Sequence, residues 1–267
     1  MTQSPAPGIK SAVLERPPRE EDVPLALPID DVAVNSTECS ALGLVELLLK
    51  NPARLDVMNR DESKAAVLIP RFLGVALTCY LLFAGAMVLI LSNTQTEAYP
   101  RHLFVIKAPA WSTRSAVGLV LAYNFGLVAT TGICLPTFYF FALLAGVRLS
   151  MLQIAAQVVR CKATSALVLI GILPAYVAVV LGLCVFHAPA RTLEILLYAG
   201  LVLPFIAGLS GVHALYHAVE RLAATVPAAR RCRRECFLRR LTVSWAACYT
   251  AMAPVMIYRI WEYFAAI

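Results

Sequence analysis

Acidic side chains almost disappear from this chain after its first sixty residues. Residues 63–267 hold five Asp and Glu against seventeen Lys and Arg. Charge of either sign is missing from five long stretches: between Arg71 and Glu97, Arg114 and Arg148, Lys162 and Arg191, Glu194 and Glu220, and Arg240 and Arg259. Charged residues make up 15% of the chain and hydrophobic ones 60%. Soluble domains run nearer 25% and 45–50% by similar counts, so an ordinary water-soluble globule is excluded (values approximate).

Other absences narrow the function. No phosphate-binding loop, nucleophile elbow or paired carboxylate site is present, so the chain reads as no enzyme, with no catalytic residue and no cofactor. No Asp, Glu or Lys falls within the spans proposed below, which argues against a proton relay. Asn124 and Tyr123 are the most polar groups deep in the second span and read as bridges between helices. Residues 1–35 have no apolar core of a cleavable signal. Rich in proline and acid, they read as a disordered cytoplasmic tail.

What remains is apolar helix. A bilayer core needs about 20 helical residues to cross. The uncharged runs predict an all-α, polytopic membrane helical bundle with about five transmembrane helices, near 72–92, 116–145, 165–187, 195–217 and 242–262. Residues 66–267 form this membrane domain. Basic residues concentrate at alternate span ends, and positive residues mark the cytoplasmic side. The resulting topology is N-in and C-out, with most of the inner charge in Arg230, Arg231, Arg233, Arg234, Arg239 and Arg240. These arginines set orientation and meet lipid headgroups. Basic residues placed at helix ends explain the net charge of +7 without nucleic acid. Trp111, Trp245 and Trp261 fall at expected interfaces, where indoles prefer to sit.

Residues 36–65 read as amphipathic juxtamembrane helices. Leu42, Val45, Leu48 and Leu49 share one face, Glu46 and Lys50 pair one turn apart, and Asn51-Pro52 ends one helix and starts the next. Prolines recur within the spans at Pro136, Pro174, Pro204 and Pro254, and Pro70 opens the first. Pro136 deletes a helical hydrogen bond; Thr130 and Thr131 are placed to bond freed carbonyls, and Gly132 to admit a neighbouring helix. Gly171, Gly182, Gly200, Gly208 and Gly211 offer similar contact surfaces.

The chain has eight cysteines, four within spans and four on the reducing cytoplasmic side, so no disulfide framework is indicated. His213 and His217 lie one turn apart at the inner end of span four, and Cys232 and Cys236 one turn apart in the next loop. Two His and two Cys suit tetrahedral zinc. The spacing fits no known zinc module, however, and the neighbouring arginines oppose a dication. The plainer reading is an interfacial helix face and a basic loop.

The run Lys107–Gln153 resembles a group of uncharacterised bacterial polytopic inner-membrane proteins. Their pattern is Lys-x-Pro (Lys107, Pro109), then Ile-Cys-Leu-Pro-Ser-x-Tyr (Ile133 to Tyr139, with Thr137 for serine), then Gly-x-Arg-Leu-Ser (Gly146, Arg148, Leu149, Ser150). Ile172 to Tyr176 is similar to their next proline-bearing span. The likeness covers about residues 40–220. The C-terminal part departs: Trp245 and Tyr249 match loosely, and the group's Arg-Pro-Phe motif is absent. Some members distantly resemble Yip-type trafficking proteins. Others are described as actin-binding through a WASP-homology signature, which Leu49-Lys50 imitates although Asn51 replaces its second basic residue.

The resemblance implies a multi-pass protein of the bacterial inner membrane and no known chemistry. The leading expectation is a non-enzymatic protein that organises lipids or membrane-protein partners, itself included as a homo-oligomer. A small-solute transporter or channel subunit is the alternative.

Overall fold

Apolar segments in hydrocarbon must satisfy every backbone N–H and C=O internally, and helices do so within one segment. The computed structural model follows that rule. It describes residues 41–59, 61–93, 102–103, 106–107, 112–144, 150–223 and 231–266; within these, the side chains of 219–223 and 231–239, and a few others, lie outside the description. The tail 1–35, Trp111, Pro109, Gly146, Arg148, Leu149 and Arg230 also fall outside it.

Two short helices come first, α1 (Ala41–Lys50) and α2 (Pro52–Met58). Five long ones follow: α3 (Glu62–Asn93), α4 (Thr113–Leu144), α5 (Met151–Val185), α6 (Ala190–Ala223) and α7 (Arg231–Ala266). Each of the five is long and apolar enough to cross a membrane. The protein is therefore all-helical in architecture and reads as a multi-pass membrane protein. A small antiparallel pair, β1 (His102–Leu103) with β2 (Ile106–Lys107), sits between α3 and α4.

All five helices exceed the predicted spans. At 1.5 Å per residue the shortest is about 48 Å long, against about 30 Å of hydrocarbon. Their polar ends continue the helical ladder beyond the uncharged runs. Pro70 accordingly lies inside α3, not at its start, and Pro136, Pro174, Pro204 and Pro254 lie inside α4 to α7.

The helices close a ring in the order α3, α4, α7, α6, α5 and back to α3. Neighbours in the ring are therefore not always neighbours in sequence. The α4–α7 seam is the most extensive. A Cβ on Gly126 would stand 2.9 Å from Ile257 Cγ1, and one on Gly118 3.2 Å from Phe264 Cβ. Trp261 Nε1 donates to the Ser115 carbonyl at 2.9 Å, and Trp245 Nε1 to the Cys134 carbonyl at 3.1 Å. Elsewhere Tyr123 donates across to Leu201 O at 2.9 Å, and Tyr176 to Leu196 O at 3.1 Å. Hydrogen bonds of this kind contribute about 0.6 kcal/mol each in lipid.

Three details correct the sequence reading. Gly132 is exposed, and nothing beyond its own stretch of helix lies within 4 Å of where its Cβ would be; a Cβ on Gly171, Gly182 or Gly208 would be equally clear of neighbours. Close approach falls to Gly118, Gly126, Gly200 and Gly211 instead. Thr130 and Thr131 bond Gly126 O and Leu127 O, both at 2.7 Å. A hydroxyl reaches back one turn, toward the N-terminus, whereas the carbonyl that Pro136 deprives of a donor is Gly132's. Asn124 likewise bonds its own helix, at Val120 O, so of the two polar groups only Tyr123 bridges.

Polar ends are closed locally. Ser150 and Gln153 form a reciprocal capping box at the start of α5. At its end His187 adopts φ 52°, and His187 N–H and Ala188 N–H bond Cys184 O and Leu183 O. This is the turn normally given to glycine.

Candidate functional site: a buried amine, a docked hairpin and two cavities

α5 carries two cations into the protein. Lys162 is 7% exposed. Its Nζ lies 3.2 Å from the centroid of the Tyr249 ring. α5 and α7 are not neighbours in the ring, so this contact crosses its interior. Tyr249 stacks on Trp245, with centroids 5.8 Å apart, and its hydroxyl donates to Leu127 O on α4 at 3.4 Å. Tyr80 of α3 donates to the Lys162 carbonyl at 3.5 Å. On the far side a Cβ on Gly211 of α6 would meet Cys161 O at 2.5 Å. Helices α3, α4, α5 and α7 thus converge on the lysine, and α6 packs against its turn. Among the described residues no carboxylate pairs with it. A desolvated cation on an aromatic face gains about 2 kcal/mol.

The predicted span 165–187 stops three residues short of this lysine. α5 begins fourteen residues earlier than the predicted span, and Lys162 sits well inside the helix.

Arg160 anchors a second feature. Its guanidinium pairs with Asp56 of α2, the two side chains being 6% and 12% exposed, and also reaches Gln157 Oε1 at 3.5 Å. Asp56 is held there by the α1–α2 hairpin. Asn51 caps α2 through Arg54 N–H, as the Asn-Pro pair predicts. Leu44 and Leu55 are completely buried and Leu47, Leu48 and Met58 nearly so. The expected face is therefore wrong in part: Leu48 is buried, but Leu42 and Leu49 point outward at 83% and 68% exposure. Packing against the bundle selects the Leu44–Leu47–Leu48 side. Glu46 and Lys50 pair at 2.7 Å as expected. Both side-chain polar atoms of Asn59, just after α2, and Arg71 Nη1 on α3 are buried with no hydrogen-bond partner among the described residues.

Two cavities flank α7. One, of about 240 Å³, lies between α4, α6 and α7, with Tyr123, Leu201, Phe205, Pro254, Ile257 and Trp261 among its walls. The other, of about 260 Å³, follows the α4–α7 seam and is walled by Cys134, Thr137, Phe141, Ser244, Trp245 and Cys248, among others. Both are predominantly apolar.

The histidine pair is present as spaced: His213 and His217 have ring centroids 4.4 Å apart and planes at 89°. Cys232 and Cys236 occupy the first turns of α7, where side chains lie outside the described residues, as do those of Arg231, Arg233, Arg234 and Arg239. Arg240 is described, and is exposed. Among the described residues no three His, Cys, Asp or Glu gather as a metal-ligand set. Set against known proteins, the chain matches no family model, no curated protein and no solved structure.

Proposed function

We propose that this integral membrane protein organises lipids and membrane partners instead of transforming a substrate, and that it does so in a bacterial inner membrane with its N-terminus in the cytoplasm. The observation that carries the reading is the pair of apolar cavities flanking α7. Each is bounded by helices that face lipid, and apolar clefts between transmembrane helices suit acyl chains better than hydrated solutes. The α1–α2 hairpin supports the same reading. It buries one leucine face on the bundle and presents Leu42 and Leu49 outward, beside the membrane or a partner.

Native mass spectrometry after purification in a mild detergent tests this. Phospholipid or a stoichiometric protein partner should remain bound. A bare chain, together with measurable solute flux in proteoliposomes, would overturn it. Reporters fused to the two ends should face opposite compartments, the N-terminal one inside.

One observation favours the transport alternative. An ionisable side chain turned into the interior of a membrane bundle is often part of a substrate or ion path, and Lys162 holds that position. On that reading K162M abolishes flux in proteoliposomes. On the lipid-organising reading there is no flux to abolish.

A further inference from the structure

We propose that the α4–α7 groove binds a single anionic phospholipid, with the phosphate at Arg240 and one acyl chain running along the seam. The inference rests on the lipid-organising reading and assigns that reading a ligand class and a site.

The groove has a polar end and an apolar end. Arg240 is exposed where α7 enters its apolar stretch, and Leu241 is the first groove residue after it. The preceding turns of α7 hold Arg231, Arg233, Arg234 and Arg239, opposed by Glu235 alone. Arg240 thus stands at the arginine-rich end of α7. One turn deeper Ser244 lines the groove, and Thr137 lines the facing wall. Both hydroxyls are exposed and make no hydrogen bond within the described residues, so both are free to meet glycerol ester oxygens. Beyond them the walls are Trp245, Cys248 and Met252. From Arg240 to Met252 the helix rises about 18 Å, close to the roughly 15 Å depth of one leaflet's hydrocarbon. With Leu241 and Phe141 as an apolar shoulder beside Arg240, charge comes first, the hydroxyls next and the deeper apolar wall last, which suits the parts of a phospholipid. The second cavity, around Trp261, has Arg114 and the Glu262-paired Arg259 near its end instead of a run of arginines, and serves as a comparison.

Trp245 reports on the groove and Trp261 on the comparison cavity. The full chain is reconstituted in phosphatidylcholine as W111F/W261F or as W111F/W245F, leaving one reporter each. Brominated phosphatidylglycerol or brominated phosphatidylcholine is then added as a minor component. Brominated phosphatidylglycerol should quench Trp245 several-fold more than the zwitterionic lipid at equal fraction, while Trp261 shows no preference. R240Q should weaken the preference about fivefold, the equivalent of about 1 kcal/mol per basic residue near an anionic surface, and high salt should weaken it further.

Titration of the delipidated, unsubstituted protein with both lipids by native mass spectrometry repeats the comparison without tryptophan changes. Equal quenching of Trp245 by both lipids would overturn the anionic site and leave the lipid-organising reading standing. Absence of lipid from both cavities would overturn both.

Discussion

Replacing Asp56 by asparagine should undock the α1–α2 hairpin while leaving the five-helix ring assembled. Asp56 pairs with Arg160, and the Arg160 side chain is 6% exposed. Removing one partner of a buried ion pair costs about 3–5 kcal/mol, because the remaining charge stays desolvated. Asp56 keeps some contact with solvent and Gln157 Oε1 remains near Arg160, so the low end, about 3 kcal/mol, applies here. At about 1.4 kcal/mol per tenfold, hairpin docking weakens by about a hundredfold.

The loss should stay local, since the bonds that close the ring, from Trp245, Trp261, Tyr123 and Tyr176, involve other residues. Hydrogen exchange resolves the two regions. In D56N the amides of α1 and α2 should exchange about a hundredfold faster, and those in the middle of α4 and α7 at an unchanged rate. Replacing the pair together, D56L with R160M, should recover most of the protection, because no unpaired charge is left behind. Unchanged exchange in D56N, or a double variant as poorly protected as the sum of its singles, would refute the reasoning.

G211A should destabilise the bundle by about 1–3 kcal/mol, since its Cβ meets a backbone carbonyl that cannot rotate away, whereas G132A, in open space, should be neutral or stabilising; thermal unfolding in detergent compares them. H187G should raise the unfolding temperature, as it relieves about 1 kcal/mol of left-handed strain at φ 52°. The hydrogen bond from Lys50, reinforced by its charge, lowers the Glu46 carboxyl below its ordinary value and raises the Lys50 ammonium above its own. The carboxylate's contribution is thus present above its unfolded value and lost as pH falls through the lower folded one. The ammonium's is lost only as pH rises through its raised value. Both groups are fully exposed, so the hairpin's protection factors, which divide out the base-catalysed intrinsic exchange rate, should stay flat between about pH 5 and 8.

Much of the architecture was legible because lipid imposes one rule on every apolar run. Uncharged stretches of sufficient length gave five helices, and five were found. The same procedure concealed the buried amine. A span defined as the interval between charges cannot contain a charge, so Lys162 was placed outside by construction, although α5 runs through it without a break. The hairpin shows a different limit. Periodicity on α1 singled out Leu42, Val45, Leu48 and Leu49, whereas packing against the bundle buries Leu44, Leu47 and Leu48, a choice made by residues distant in sequence. Ring order was equally hidden. Nothing local in Gly126 or Ile257 tells that α4 lies against α7. The indoles of Trp245 and Trp261 were read as interface anchors, but their N–H groups are spent on carbonyls of α4, because a donor in hydrocarbon needs a partner.

The seating of α7 between α4 and α6 has a consequence for biogenesis. While the ribosome is still making residues 145–230, α4 is already threaded into the bilayer, and its Gly118–Gly126–Thr130 flank has only acyl chains for company. The surface complementary to it is synthesised last among the five spans. Until then the nascent chain presents a notched, small-residue flank to any other helix nearby, and insertion factors that shelter such flanks should remain associated until α7 leaves the translocon and wedges home.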